Sequence, residues 1–126
     1  MKKSLIIFFL IPVITTQAQI KAPNAAHVKW GKENAKEYEA NFKLNGINMS
    51  ANYDLNGNWR ETETEIAVKD LPEAVSKSIK AKYPDAIVSG TDKIEKTDGK
   101  IIYEADIKVN GKKKEIELFE DGKFVK

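Results

Sequence analysis

Two stretches of the chain alternate apolar and polar residues with the period of a strand, and they do so in nearly the same words. "YEANFKLNG" at Tyr38–Gly46 places Tyr38, Ala40, Phe42 and Leu44 on one side and Glu39, Asn41 and Lys43 on the other, because successive strand side chains point to opposite faces. "YEADIKVNG" at Tyr103–Gly111 sets Tyr103, Ala105, Ile107 and Val109 against Glu104, Asp106 and Lys108. Both phrases end in Asn-Gly, the pair favoured in a type I′ hairpin turn, where both central residues need positive φ. Return strands follow. Ile47, Met49, Ala51 and Tyr53 alternate with Asn48, Ser50 and Asn52, and Ile116 and Leu118 alternate with Glu115 and Glu117. Each copy then reaches another glycine turn, around Gly57 and around Gly122. Tyr38–Trp59 and Tyr103–Phe124 align without a gap and share seven of twenty-two positions. We read the chain as a duplicated antiparallel meander.

Between the copies the apolar period changes from two to four. Leu71, Val75, Ile79 and Tyr83 form one helical stripe. Asp70 is placed to cap it, with Glu73 completing a capping box and Pro72 in the first turn. Pro84 ends it, since the residue before a proline disfavours helix. "AIVSGTDKIEKTDGK" then reads as a strand reaching an Asp98-Gly99 turn. In the first copy "PNAAHVKW" at Pro23–Trp30 resembles "PDAIVSGT" at Pro84–Thr91, so its helix would have to lie within Ile11–Ala22. The expected fold is α+β. Two meander units, about 23–69 and about 70–126, form one long antiparallel sheet. One main helix packs on one face, and the first-repeat helix is largely missing.

The N-terminal residues change the picture of charge and location. Lys2 and Lys3 precede the apolar run "LIIFFLIPVI", and Thr16 and Ala18 supply small side chains before a cut. That is the layout of a secretory signal peptide, and the run is too short for the ~20 residues that span a bilayer. Residues 1–18 are therefore expected to be removed, leaving 19–126 as one exported domain, periplasmic or extracellular. The full chain carries 21 basic and 19 acidic residues, and Lys2 and Lys3 are the whole excess. A balanced remainder gives no reason to expect a nucleic-acid partner. The dense run Lys112-Lys113-Lys114 beside Gly111 reads as a solvated turn. There are no cysteines and a single histidine, His27. Disulfides, thiol chemistry and a histidine metal cluster are excluded.

Taken in order, "PNAAHVKW", "YEANFKLNG", "YDLNGNW", "LPEAVSKSIKAKYPDA", "YEADIKVNG" and "DGK" resemble the secreted PepSY-like family, also described as beta-lactamase-inhibitor-like. The resemblance carries a Leu-Pro-x-x-Val helix start, a Lys-x-Tyr-Pro helix end, the Tyr-Glu-Ala strand and an Asp-x-x-Gly turn. It implies two joined helix-plus-meander units, no catalytic residues to transfer, and a sheet face that binds protein.

The residues themselves offer little for catalysis. Ser50, Ser76, Ser78 and Ser89 lack a nucleophile-elbow context, and the glycines sit singly in turns. Asp54, Asn56, Asn58 and Glu65 match four positions of a calcium loop, but Trp59 stands where that loop needs glycine. Glu61, Glu63 and Glu65 alternate along one strand and read as a solvated acidic stripe. Tyr38, Tyr53 and Tyr103 share the aliphatic face and belong to the core. What remains is the polar sheet face: Glu39, Asn41, Lys43, Glu104, Asp106, Lys108, Glu115 and Glu117, with Asn52 beside them. The expected function is a non-catalytic extracytoplasmic module binding a protein or peptide there, in the manner of an inhibitor. The alternative is a self-associating unit of the cell envelope, a homo-oligomer. No cofactor, metal or membrane insertion after cleavage is expected.

Overall fold

The structure, a computed structural model, describes residues 28–126. The signal peptide read at 1–18, the helix gap at 11–22, His27 and most of Pro23–Trp30 lie outside the described residues. Seven strands run β1 (Val28–Lys32), β2 (Glu37–Leu44), β3 (Ile47–Asp54), β4 (Trp59–Glu65), β5 (Ile87–Lys96), β6 (Ile101–Val109) and β7 (Lys112–Phe119). They hydrogen-bond in chain order as one open antiparallel sheet. One α-helix among the described residues, α1 (Glu73–Lys82), makes the fold α+β as expected. No helix among them is long and apolar enough to cross a membrane. The chain parts into two compact units between Glu63 and Thr64.

In the first unit, β2 and β3 pair from Tyr38↔Tyr53 to Leu44↔Ile47, closed by Asn45 and Gly46 at φ 51° and 81°. That register puts Ala40, Phe42, Met49, Ala51 and Tyr53 on one face, where they are buried. Trp30, Trp59, Val28 and Leu44 pack against them, and Trp30 meets the Tyr53 ring at 5.5 Å. Burial pushes the Tyr53 hydroxyl up to about 12. Trp59 Nε1 donates to Thr62 Oγ1 at 2.9 Å, so the indole keeps a polar partner where it is half-buried.

The second unit uses the same device 65 residues later. β6 and β7 pair from Tyr103↔Leu118 to Val109↔Lys112, closed by Asn110 and Gly111 at φ 50° and 78°. Tyr103, Ala105, Ile107, Ile116 and Leu118 are buried against Leu71, Val75 and Ile79 of the helix stripe. β5 joins them with a bulge between Val88 and Gly90. The extra residue shifts the alternation, so Val88 and Thr91 both face the helix side, opposite Ile107 and Ala105. Thr91 is fully buried and spends its hydroxyl on Ile66 O at 2.7 Å. Lys112, Lys113 and Lys114 open β7, so the run is strand rather than the turn expected of it.

The helix start also differs from expectation. Asp70 lies in a short 3₁₀ turn, Val68–Asp70, and Leu71 is extended at ψ 142°. Pro72 is the N-cap, and no side chain caps α1. Leu71 is 8% exposed. Burying it beside Val75 sets where the helix begins, and the capping box from Asp70 is not formed. The C-terminal end is as expected: Tyr83 N–H closes on Ile79 O at 2.8 Å, and Pro84 follows.

Three hairpins share a wider turn in which glycine takes positive φ: Gly57, Gly99 and Gly122, at 85°, 82° and 87°. Gly122 has a second constraint, because an added Cβ there would lie 2.6 Å from Ala74 O of α1. Gly122→Ala should therefore destabilise the protein by about 2–4 kcal/mol through backbone strain and overlap with the helix. Gly99→Ala shares the φ but meets no atom within 4 Å, and should cost only about 1–2 kcal/mol. Urea denaturation of the pair separates the two terms.

The register makes a second prediction. Phe42 and Ile107 are buried at equivalent places, while Asn41 and Asp106 beside them are exposed. Truncating either apolar residue to Ala should cost about 2–5 kcal/mol. Asn41→Ala and Asp106→Ala should each change stability by no more than about 0.5 kcal/mol. Equal costs on the two faces would refute the register.

Candidate functional site

The face of the second unit opposite the helix is organised in cross-strand rows. Ile87, Lys108 and Lys113 form the first row, and Gly90, Asp106 and Glu115 the second. Asp92, Glu104 and Glu117 form the third, and Ile94, Ile102 and Phe119 the fourth. Charge is thus sorted rather than mixed: one cationic row edged by exposed Ile87, then two acidic rows. Ile94 and Ile102 are buried, so the fourth row is an apolar floor on the side that the alternation assigned to polar residues.

Within the acidic rows the carboxylates crowd. Glu104, Asp106 and Glu115 each offer an oxygen within 4.8 Å of the others, spacing that hard oxygen-seeking cations accept and that solvated acidic surfaces also show. Asp92 is half-buried beside them. Burial, and then the charges of Glu65 and Asp106, hold its carboxyl above the ordinary carboxylate range.

The first unit's polar face has a different chemistry. Glu39, Asn41 and Lys43 of β2 face Asn52, Ser50 and Asn48 of β3, and Asn41 donates to Glu39 Oε2 at 2.7 Å. Asn52, expected to be open to solvent, is buried at 6% exposure, and Ser50 on the same face is buried at 7%. Asn52 Oδ1 has no hydrogen-bond partner among the described residues. The structure therefore brings Glu104, Asp106, Lys108, Glu115 and Glu117 together, and places Glu39, Asn41 and Lys43 in the other unit.

The calcium-loop residues are engaged locally. Asp54 Oδ1 accepts the N–H groups of Asn56 and Asn58, both at 2.9 Å, and Oδ2 accepts Asn58 Nδ2 at 3.0 Å. Burial opposes its ionisation, but the bonds from Asn58 and Asn56 outweigh it and hold the carboxyl below the usual range. Asp54 closes a turn.

On the helix side of the second unit, a cleft of about 460 Å³ lies between the end of α1 and β7. Lys114 Nζ donates to the Tyr83 hydroxyl at 3.0 Å, and Lys82 Nζ lies 4.2 Å from the Phe124 ring centre. The Lys114 hydrogen bond, and then the nearby lysine charges, hold the Tyr83 hydroxyl below its ordinary value.

The family described as "Putative beta-lactamase-inhibitor-like, PepSY-like" matches residues 36–126. The chain belongs to this family. Solved structures share its fold. A "BLIP-like protein" from Bacteroides fragilis is 23% identical with a TM-score of 0.72, and the match covers 97% of this chain and 82% of that one. A "DUF2874 family protein" from Bacteroides uniformis is 19% identical with a TM-score of 0.76, covering 86% and 81%. A protein from Bacteroides eggerthii described as "putative periplasmic" is 18% identical with a TM-score of 0.76, covering 93% and 84%. No curated protein matches.

Against the family background, two features of the second unit escaped the sequence reading. Asp92 was not assigned to the polar face, because strict alternation along β5 would turn it to the helix side, and only the bulge at Ser89 brings it opposite Glu104. Lys82 and Tyr83 lie about thirty residues or more before Lys114 and Phe124, and only the docking of α1 on β7 joins them.

Asp92 yields a pH prediction. A folded-state value above the ordinary 3.8 means that the folded chain holds the proton more tightly than the unfolded one. Ionisation then costs stability, and the cost grows as pH rises through that range. Asp92→Asn should stabilise the protein at neutral pH, with the advantage shrinking as the pH falls through the raised folded-state value and lost below the ordinary 3.8. Thermal melts of both proteins across that range check it, and an unchanged difference would refute the linkage.

Proposed function

We propose that the chain is a non-catalytic, extracytoplasmic module that binds a protein or peptide on its polar sheet face. The acidic rows of the second unit form the contact centre. Like charges directly opposite on neighbouring strands destabilise a sheet, yet Asp106 faces Glu115, and Glu104 faces both Glu117 and Asp92. A face serving stability alone would alternate its signs. Sorted charge fits a partner that brings cations to the acidic rows and steers its approach, and exposed Ile87 adds an apolar contact at the border.

Inhibition is the form of binding that the family description favours, and the fold neighbours favour it by analogy alone. The charged and apolar N-terminal pattern supports export. So does the description of the Bacteroides eggerthii neighbour.

Capture from an envelope extract tests this reading when native chain is compared with the double variant Glu104→Lys, Lys108→Glu. The variant should melt within a few degrees of the native chain and retain at least about tenfold less of any specific partner. Undiminished capture by the folded variant would overturn the assignment to this face. Retention of nothing but further copies of the chain would favour the self-associating unit instead.

A further inference from the structure

β7 is the last strand of the sheet, and its outer edge is covered along only part of its length. Beyond the Gly122 turn the chain doubles back. Phe119 N–H donates to Lys123 O at 2.8 Å, Val125 N–H donates to Glu117 O at 2.9 Å, and Leu118 bridges Phe124. Among the described residues no strand lies against the edge from Lys112 to Ile116. Antiparallel geometry identifies the backbone groups left over, because a residue's N–H and C=O point to the same side and the side alternates. Glu117 O and Phe119 N point outward, so the N–H and C=O of Lys113 and Glu115 point outward too.

On the helix side this edge borders the cleft lined by Lys82, Tyr83, Lys114, Phe124 and Lys126, and also by Glu115 and Glu117 of β7, whose side chains alternate onto the opposite face. A strand laid beside β7 sends the side chain opposite Lys114 to the same face as Lys114, into that cleft. Lys114 Nζ stands 5.1 Å from the Tyr83 ring centre and Lys82 Nζ 4.2 Å from that of Phe124, so two ammonium groups are held where that side chain arrives.

We propose that the Lys112–Ile116 edge of β7 takes up an extended segment of a partner protein by strand addition, and that this segment carries an acidic side chain opposite Lys114. Backbone bonds to Lys113 and Glu115 supply affinity, and the cleft selects the side chain. The lysines that attract an acidic strand also exclude others. A two-fold pairing of two copies about the middle of the open edge sets Lys114 against Lys114 on the cleft side, a like-charge contact that an acidic partner strand avoids, although it also sets Lys113 against Glu115 on the other face. The edge uses only the backbone of Lys113 and Glu115, whose side chains belong to the polar face, and the selecting cleft lies on the other side of the sheet, so this inference is tested independently of the function proposed for that face.

The probe is an end-blocked peptide of about ten residues alternating Glu and Val, titrated onto the full chain by calorimetry. It should bind at least about tenfold more tightly than its Lys-Val counterpart, and N-methylation of alternate backbone nitrogens should abolish binding. Lys114→Glu should reverse the preference. Lys113→Pro removes an outward N–H that no strand among the described residues uses, which an edge tolerates, and should weaken the peptide while the melt is kept. If that variant does not fold, the N-methylated peptide on the native chain decides the same point. The polar-face variant Glu104→Lys, Lys108→Glu should bind the probe as the native chain does. Failure of the Glu-Val peptide to bind, equal binding of the N-methylated form, or loss in the polar-face variant would each overturn the proposal. So would a self-associated dimer that Lys113→Pro dissolves.

Discussion

Hairpin register is the constraint on which the other contacts depend. A strand's side chains alternate with a period of two, so a slip of one residue carries a whole apolar row from core to solvent. In β2 and β6 such a slip would expose Phe42 and Ile107 and push Asn41 and Asp106 inward. The Asn-Gly turns prevent it. Asn45 and Asn110 hold φ near 50°, outside the range most residues accept, and each is followed by a glycine with positive φ. These two-residue turns admit one pairing, Leu44↔Ile47 and Val109↔Lys112, and every later pair along the ladder follows. Packing of the helix stripe on Ile107, Ile116 and Leu118 presupposes that register.

The same constraint assembles the charged face. Once the apolar rows are fixed, Glu104, Asp106, Glu115 and Glu117 have no choice but to face one another across β6 and β7. Repulsion among them is then a standing cost, moderated by solvent at the exposed members and felt most at half-buried Asp92. Hydrophobic burial on the other side of the strands is large enough to carry it. This division of labour lets a small sheet keep a surface whose charges are arranged for something other than its own stability.

Much of the fold was legible because its signals are local. Alternation, Asn-Gly, the four-residue helix stripe and Pro84 each act over a few residues. What stayed hidden required either a broken period or a long-range contact. The bulge at Ser89 turned Asp92 onto the acidic face and Thr91 into the core. Asp70 looked like a cap, yet burial of Leu71 outweighed the hydrogen bonds a cap would have made. Asn52 and Ser50 alternate like solvent-facing residues and are buried. Ile94 and Ile102, by contrast, are apolar on the face reserved for polar side chains, and only the assembled sheet shows that they form a floor. The site followed the same rule: the candidates on β6 and β7 adjoin because hairpins join near neighbours, whereas those on β2 belong to another unit.

The lysines at the end of α1 show how one set of charges meets two demands. A helix C-terminus concentrates partial negative charge on its last carbonyls, and cations there are favourable. Lys80 and Lys82 occupy that last turn, while Lys114 reaches the Tyr83 hydroxyl from β7. All three are exposed, so their contribution to stability is small and screened by salt. The Lys82 and Lys114 ammonium groups, resting on aromatic rings, keep most of their capacity to attract an anion. Beside them, the backbone of Lys113 and Glu115 turns outward, and no strand among the described residues meets it. Helix end and sheet edge therefore converge on one small region that combines directional main-chain bonding from β7 with positive charge from both elements.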